Sequence, residues 1–518
     1  MLFKGLTLDK FQEDAINAIE QNYSVVVSAP TGSGKTLAAD YIIEKELKTE
    51  NKIVYTAPIK ALSNQKYKDF ARDYGKENIG LLTGDTVINP GAPVLIMTTE
   101  VYRNIAISGD QMINGISYVI FDEIHYINDI ERGYVWEESV IFSPEHIRFL
   151  CLSATIPNAK QFADWIKSIK GHEVTVVEHD ERPVKLKQMF YDYELGLITL
   201  NKLKSELDTP NYSEFQGRKK QFIPTPKHTD IVKELGNNLP CLFFCFSRLK
   251  CEKFAKELAK KNPFQKNAQI SKIISQKMSE LPKDINNLTT TKELRQVLPK
   301  GIGFHHAGLL PGMKDIVETL FAEGLLKVLY TTETFAVGIN MPAKTTVIES
   351  VRKFDGISFR RLNTKEYFQI AGRAGRRGID TEGLTVLVVN RKEASYNVLK
   401  KLTTKDSEPI KSQFQLSVNT VLNLYSQHTE KEIQAILNQS FMSYSNKSQL
   451  VKIHSRYDAL VRRLKKMQFI ENNALTNKGI FASKIYCDEI ILTEIFGTDF
   501  CNDLSEYQTL LILACLVY

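Results

Sequence analysis

The stretch Ser24-Val-Val-Val-Ser28, followed by Ala29-Pro-Thr-Gly-Ser-Gly-Lys-Thr36, decides how the rest of the chain is read. A β-branched run ends in a glycine-rich turn, and from Thr36 to Leu47 the apolar residues Ala38, Ala39, Ile42, Ile43 and Leu47 recur at helical spacing. Strand, loop and helix in that order make a phosphate cradle. Backbone N–H groups turn inward around a triphosphate, Lys35 reaches the outer phosphates, and the Thr36 hydroxyl binds Mg²⁺. The positive N-terminal end of the helix adds to the same site. Ala29 stands where such loops usually carry their first glycine.

Working outward, 518 residues imply about three or four domains of the usual size. Hydrophobic residues at 43% and charged residues at 25% belong to a folded globular chain and exclude a disordered or fibrous class. Lys and Arg number 67 against 60 Asp and Glu, an excess that permits a polyanionic partner and fits a solvated surface equally well. Seven cysteines without metal-type spacing indicate a reducing compartment, and Cys241, Cys245 and Cys251 read as strand and helix core rather than a zinc site. Met1-Leu-Phe-Lys-Gly-Leu6 lacks the regions of a signal peptide, and no apolar run reaches about 18 residues. The expectation is a soluble protein without a membrane partner, cytoplasmic, or nuclear if its source is eukaryotic.

Before the first strand, Leu8 to Ile16 reads as a helix that brings Phe11 and Gln12 near the loop. The Gln12 amide carries both functions needed to pair with adenine, or it is a solvated glutamine on an amphipathic helix. Four more apolar runs follow. Ile53–Thr56 leads into Pro58 and Lys60, Val94–Met97 into Thr98-Thr99-Glu100, Ser117–Phe121 into Asp122-Glu123-Ile124-His125, and Arg148–Leu152 into Ser153-Ala-Thr155. Continuous apolar strands separated by helical stretches form a parallel sheet buried on both faces, and ligands bind at the carboxyl ends of its strands. The polar clusters therefore converge on the edge that carries the loop. There, Asp122 can hold the Mg²⁺ shell and Glu123 can orient and deprotonate an attacking water.

In the second half, Glu181-Arg-Pro reads as a passage between domains. Leu203 to about Lys300 reads as helices and loops around one strand, Cys241–Cys245, with a solvated basic stretch at Gly217–Lys220. Lys327–Thr331 and Leu384–Val389 announce a second parallel domain without a phosphate loop. If Gln369-Ile-Ala-Gly-Arg-Ala-Gly-Arg-Arg-Gly378 is helical, Gln369, Arg373 and Arg376 share one face and the two arginines fit as fingers; the alternative is a basic surface patch. Asp355-Gly356, between basic and apolar residues, predicts a two-residue hairpin. With Phe354, Phe359, Arg352, Lys353, Arg360 and Arg361 it either guides strands by stacking and phosphate contact or is purely structural.

Taken together, these motifs resemble superfamily-two helicases of the superkiller-like branch, the exosome-associated RNA helicases. The resemblance is carried by Asp122–His125 with Glu131–Glu138, Phe304–Gly312, Glu333–Pro342, Ser350–Gly356 and Gln369–Gly378. It implies an α/β fold: two tandem RecA-like parallel-sheet domains at 1–180 and 181–390, a winged-helix domain at 391–470 and the beginning of a helical domain at 471–518. It implies that Lys35, Asp122, Glu123, Gln369, Arg373 and Arg376 hydrolyse ATP. Phe11, Gln12, Ala29, Thr31, Gly32, Ser33, Gly34, Lys35, Thr36 and Gly338 would bind it, with Mg²⁺ on Thr36 and Asp122. Pro58, Lys60, Thr83, Gly84, Asp85, Thr98, Thr99, Glu100, Ser247, Arg248, Thr331, Thr332 and Phe354 would hold a single strand, Ser153 and Thr155 would couple hydrolysis to unwinding, and movement would run 3′ to 5′.

The expected protein is a monomeric motor on single-stranded or 3′-tailed RNA, with an exosome-like decay complex as partner. The chain departs from eukaryotic members at Pro30-Thr-Gly-Ser33. It also runs through Ser443–Leu464 without the long arch, and it ends inside the apolar run Thr509–Tyr518, which reads as a chain cut short or as a membrane-surface helix. Two other functions fit parts of the pattern: a DNA repair helicase of the archaeal Holliday-junction-migration type, and an ATP-gated clamp. Arg376-Arg377-Gly378 and Glu131–Glu138 favour RNA, and intact Lys35, Glu123, Arg373 and Arg376 favour an active enzyme.

Overall fold

The computed structural model describes residues 1–207, 225–338, 341–355, 358–391, 393–404, 408–497 and 503–517. Its contacts divide it into two bodies, residues 1–28, 36–178 and 409–518 in one, 29–35 and 179–408 in the other. The basic stretch 217–220 lies outside the described residues. Among the described residues no helix is long and apolar enough to cross a membrane.

The first body is built on an eight-stranded sheet in the order Val174–Glu178, Ser24–Ser28, Arg148–Ser153, Ile116–Phe121, Lys52–Ala57, Val94–Thr98, Ile79–Thr83, Thr86–Ile88. Its pairings are parallel except the last. Every residue of Ser24–Ser28 is buried, as its β-branched run demands of a strand covered on both faces. The register levels the strand ends: Ser28 faces Ser153, Phe121 faces Cys151 and Thr56, and Ala57 faces Thr98. The helix after the loop, Thr36–Glu46, buries Ala38, Ala39, Ile42 and Ile43 as predicted; Leu47 falls just past its end, and the buried Glu46 accepts from Asn51 Nδ2 at 2.8 Å and Ser117 Oγ at 3.1 Å.

The second body carries a seven-stranded sheet in the order Gly196–Ile198, Lys185–Asp192, Glu382–Val388, Thr345–Ile348, Cys241–Phe244, Val328–Thr331, Ile302–His305, parallel apart from its first pair. The passage expected from Glu181 stays irregular to Val184, just past the division between the two bodies, and its end at Lys185 and Leu186 enters a strand of this sheet. Both sheets with their covering helices make the α/β architecture that the apolar runs require.

Residues from Ile410 to Ala482 contribute side chains to the core of the first body. Val421, Leu422, Leu437 and Phe441 join Trp136, Phe162 and Trp165 in one buried cluster. Trp165 Nε1 donates to the Gln439 carbonyl at 2.7 Å, and the Phe441 ring meets Phe162 edge-on at 5.7 Å. Helices Val418–Gln427, Glu430–Asn438 and Leu450–Lys466 precede a short antiparallel pair, Ile470–Glu471 with Ala474–Leu475. Two adjacent carboxylates on helix Tyr134–Phe142 hold this part in place. Buried Glu138 takes Arg103 Nε at 2.6 Å and Thr420 Oγ1 at 2.8 Å, while Arg103 Nη2 donates to Thr420 Oγ1 at 2.7 Å. Glu137 accepts from Ser412 Oγ at 2.7 Å and from the Phe441 N–H at 2.6 Å. A buried charge that is fully hydrogen-bonded is tolerated, and losing one partner is costly.

Burial raises the Glu137 carboxyl from 4.5 to about 7, outweighing the bonds from Ser412, Phe441 and Met442 that favour its ionised form. The folded protein thus keeps a proton that the unfolded chain releases. This stability is full below about pH 4.5 and is lost as the pH rises through about 7. The thermal midpoint is expected to fall across that window, and Glu137→Gln, which cannot titrate, should flatten the slope; an unflattened slope would assign the dependence to another group.

Candidate nucleotide site and nucleic-acid track

The loop owes its shape to backbone conformation. Gly32 and Gly34 sit at φ +83° and +87°, a region that side chains disfavour. The Ser33 N–H donates to the Pro30 carbonyl at 3.3 Å, and Lys35 Nζ folds back onto the Ala29 carbonyl at 2.9 Å. Ala29 is fully buried, so its methyl packs inward where a glycine would leave space. Within the same body Arg377 Nη1 donates to the Ser33 carbonyl at 3.0 Å.

At the end of Ile116–Phe121, the buried Tyr55 hydroxyl donates to Asp122 Oδ2 at 2.5 Å, and the Asp122 N–H donates to the Thr56 carbonyl at 3.0 Å. Burial, and then the Asp122 charge beside it, push the Tyr55 hydroxyl well above its ordinary value, which keeps it a donor. Glu123 adopts a left-handed backbone at φ +53°, ψ +48°. Such strain costs on the order of 1–3 kcal/mol and collects where function needs it. Here it ends the strand abruptly and swings Glu123 toward His125, whose Nδ1 is 3.3 Å from the carboxylate and 3.5 Å from Ser153 Oγ.

Gln12 is buried and closes its own helix. Its Oε1 accepts from the Asp9 N–H at 2.9 Å in a capping box that opens Lys10–Glu20. This differs from the solvated reading; one bond accepted at Oε1 does not bear on the adenine reading, since a carbonyl oxygen has two lone pairs and the amide two further donors. Phe11 is buried beside it.

The arginine motif departs from expectation. The helix that carries Gln369 ends at Ala371, so Gln369, Arg373 and Arg376 do not share a helical face. Tertiary bonding stops the helix: Ala374 bridges to Ala343, the Gly375 N–H donates to the Ala343 carbonyl at 2.8 Å, and Gly375 turns at φ +90° against Val184. Arg182 Nη2 lies against the Gly372 and Ala374 carbonyls at 3.3 and 3.2 Å. Arg373 is buried and donates Nε to the Ala336 carbonyl at 2.8 Å. Arg376 forms a two-pronged pair with Asp380, Nε to Oδ2 at 2.7 Å and Nη2 to Oδ1 at 2.8 Å. Gly338 closes the helix Thr334–Gly338.

Of the residues assigned to a strand track, the first body brings together Pro58, Lys60, Thr83, Gly84, Asp85, Thr98, Thr99 and Glu100 at the carboxyl edge of its sheet. Exposed Lys60 pairs with Asp85, which also accepts from Thr83 Oγ1 at 3.0 Å. Thr98 caps the helix Thr99–Ser108, and Thr99 is fully buried beneath it. In the second body Ser247 precedes the helix Arg248–Lys260, and Arg248 is exposed. Thr331 is buried with its hydroxyl on the His305 carbonyl at 3.0 Å, while the Thr332 and Thr334 hydroxyls bond at 2.9 Å.

The hairpin forms, Arg352–Phe354 against Phe359–Arg361, and the exposed rings of Phe354 and Phe359 lie 5.3 Å apart. The Asp355 N–H donates to the Ser358 carbonyl at 3.1 Å and its Oδ1 accepts the Ser358 N–H at 2.8 Å, while Gly356 of the expected two-residue turn lies outside the described residues. Lys353 is buried on Glu333 and Glu366 at 2.6 and 2.7 Å, which removes it from the basic face expected of the hairpin.

Sequence reasoning passed over Tyr55, Arg132, Arg182 and Asp380. A hydroxyl in an otherwise apolar strand, and an acid four residues after Arg376, were the available signals.

Comparison with known proteins gives a DEAD/DEAH box helicase domain at residues 9–162 and a helicase conserved C-terminal domain at 265–378. The chain is 37% identical over 499 residues to the DExH-box ATP-dependent RNA helicase DExH9 of Arabidopsis thaliana, covering 91% of this chain and 50% of that one. It is 39% identical over 437 residues to the exosome RNA helicase MTR4 of Homo sapiens, covering 80% and 42%. To superkiller complex protein 2 of Homo sapiens it is 35% identical over 515 residues, covering 94% and 41%. The chain thus spans half or less of the length of these relatives.

Tyr55→Phe removes the hydroxyl that holds Asp122. It is expected to lower nucleotide turnover by about tenfold, the loss of one hydrogen bond to a charged group. The check is kcat at saturating ATP with the thermal midpoint as control; an unaltered kcat would mean that Asp122 is positioned without Tyr55.

Proposed function

Because the chain belongs to the DEAD/DEAH-box helicases, in the branch of the exosome and superkiller RNA helicases, we propose that it is an ATP-dependent RNA helicase of RNA processing or decay. It moves 3′ to 5′ along a single strand and opens duplex ahead of it. The observation that carries this reading is the level edge of the first sheet, where the acidic box, Ser153 and the start of Thr99–Ser108 follow strand ends in matched register. RNA as the substrate rests on relatives named as RNA helicases.

In this reading Lys35 leaves the Ala29 carbonyl to meet the outer phosphates, and the loop N–H groups cradle them. Glu123, set off the strand by its left-handed backbone, takes the proton of the attacking water. Arg376 and Arg373 stabilise charge on the transferred phosphoryl group, with Asp380 orienting the Arg376 fork. His125, between Glu123 and Ser153, links hydrolysis to the strand.

Thr36 and Asp122 offer the hydroxyl and carboxylate oxygens that a hard divalent cation takes. Among the described residues no cluster of three or more His, Cys, Asp or Glu is placed to hold a metal. With nucleotide bound, Thr36 and Asp122 would hold Mg²⁺, which would neutralise developing charge. Buried Thr99 and Thr331 give their hydroxyls to backbone, so they shape the strand track while backbone groups, Lys60 and Arg248 meet the RNA. The motor works as a monomer, in the cytoplasm or in a nucleus, with an exosome-like complex as partner.

Strand displacement tests the reading. A 3′-tailed RNA duplex should open with ATP and a 5′-tailed one should not, and opening of the 5′-tailed duplex alone would overturn the polarity. Glu123→Gln should bind ATP without turning it over. RNA affinity should fall with salt at a slope of about −0.7 per neutralised phosphate; an affinity insensitive to salt would remove the backbone track.

A further inference from the structure

The turn between the acidic box and helix Tyr134–Phe142 is closed tightly. Asp129 Oδ1 accepts the N–H groups of Glu131 at 3.0 Å and Arg132 at 2.8 Å, and the Gly133 N–H donates to the Asp129 carbonyl at 2.8 Å. A Cβ on Gly133 would fall 2.2 Å from the Ile127 carbonyl oxygen and 2.5 Å from that of Asp129, so glycine is required for the close approach. This closure aims Arg132 across the strand track. Its Nε donates to Glu100 Oε1 at 2.8 Å, and its Nη2 also bonds Glu100 and donates to the Pro58 carbonyl at 2.6 Å. Behind it the guanidinium lies 5.8 Å from the ring of the buried Trp136, which stacks on Tyr126 next to His125.

A single planar fork therefore ties the loop after Lys52–Ala57 to the first turn of Thr99–Ser108. These are two separate elements of the same edge. A lysine could satisfy one of these partners but not span both in a plane. Glu100 itself is an anomaly on a surface meant for phosphates, since an unpaired carboxylate there would repel them.

We propose that Arg132 is a positioning residue for nucleic-acid binding. It fixes the spacing between the Pro58 loop and the start of Thr99–Ser108, and it neutralises Glu100 so that a phosphate backbone can pass. The inference rests on reading this edge as the strand track. Arg132 acts through Glu100 and Pro58 and does not itself touch the strand.

The test is fluorescence anisotropy of a labelled single-stranded oligouridine, with basal ATPase and thermal midpoint as folding controls. Arg132→Ala is expected to weaken binding by about tenfold with basal ATPase kept. Arg132→Lys should recover only part of the loss. Adding Glu100→Gln to Arg132→Ala should also regain part of it, because the repelling charge is gone. The salt slope should stay that of the unaltered protein. Full rescue by lysine with a slope that drops by about 0.7 in the alanine variant would mean that Arg132 contacts a phosphate directly, and would overturn the proposal. Unchanged binding by Arg132→Ala would overturn it as well. If the unaltered protein fails to bind the oligouridine, the strand-track reading falls, a result distinct from failure of Arg132. If Arg132→Ala does not fold, Arg132→Gln, which keeps the volume and loses the fork, takes its place with the same expected loss.

Discussion

A strand such as Ser24–Ser28, buried along its whole length, can carry no chemistry of its own. Water is excluded from both faces, so polar groups must wait until the chain leaves the sheet, and a parallel sheet leaves at one edge. The site depends on that constraint. Because Ser28 faces Ser153 and Phe121 faces Cys151, the residues that follow emerge level with one another. At two of these exits the chain turns through left-handed backbone, at Gly32 and Gly34 in the loop, where glycine takes it freely, and at Glu123, where a side chain makes it strained. Relaxing Glu123 into an ordinary strand conformation would carry its carboxylate away from His125.

The same body shows how residues far along the sequence become part of the first sheet's support. Glu137 and Glu138 are buried carboxylates that look outward from helix Tyr134–Phe142, one to Ser412 and the backbone at Phe441, the other to Arg103 and Thr420. Two acidic groups side by side in a core would be ruinous if left to themselves, and each is matched by donors from the 409–445 region. The stretch from Ser412 to Phe441 is therefore tied to the helix that follows the acidic box. Arg132, one turn earlier, connects the same helix to Pro58 and Glu100.

Much of this was legible in the sequence because long-run physics governs it. Apolar β-branched runs marked the central strands, and the glycine-rich run marked the turn at Gly32 and Gly34 that follows Ser24–Ser28. What escaped had local sequence at odds with tertiary context. Thr345–Ile348 has a polar start, yet it is central because buried Thr346 and Thr385 satisfy one another's hydroxyls at 3.0 Å. Lys185–Asp192 gave no clear strand signal because its first residues alternate between exposed and partly buried, and only Phe190–Asp192 are fully buried. The helix at Gln369 stops at Ala371 because Ala343 claims the backbone of Ala374 and Gly375, a contact across about thirty residues that no periodicity foretells. Gln12 is buried and takes part in its helix's capping box, a role open to any Asp and Gln three apart and one that the solvated reading did not foresee.

The central claim is that the ATP site and the strand track form one coupled RNA motor. Steady-state ATPase rate tests it most directly, measured without nucleic acid, with single-stranded RNA, and with single-stranded DNA of the same sequence. The account predicts stimulation by RNA that exceeds any by DNA and vanishes in Lys35→Ala. Equal or greater stimulation by DNA, or none by either, would contradict it.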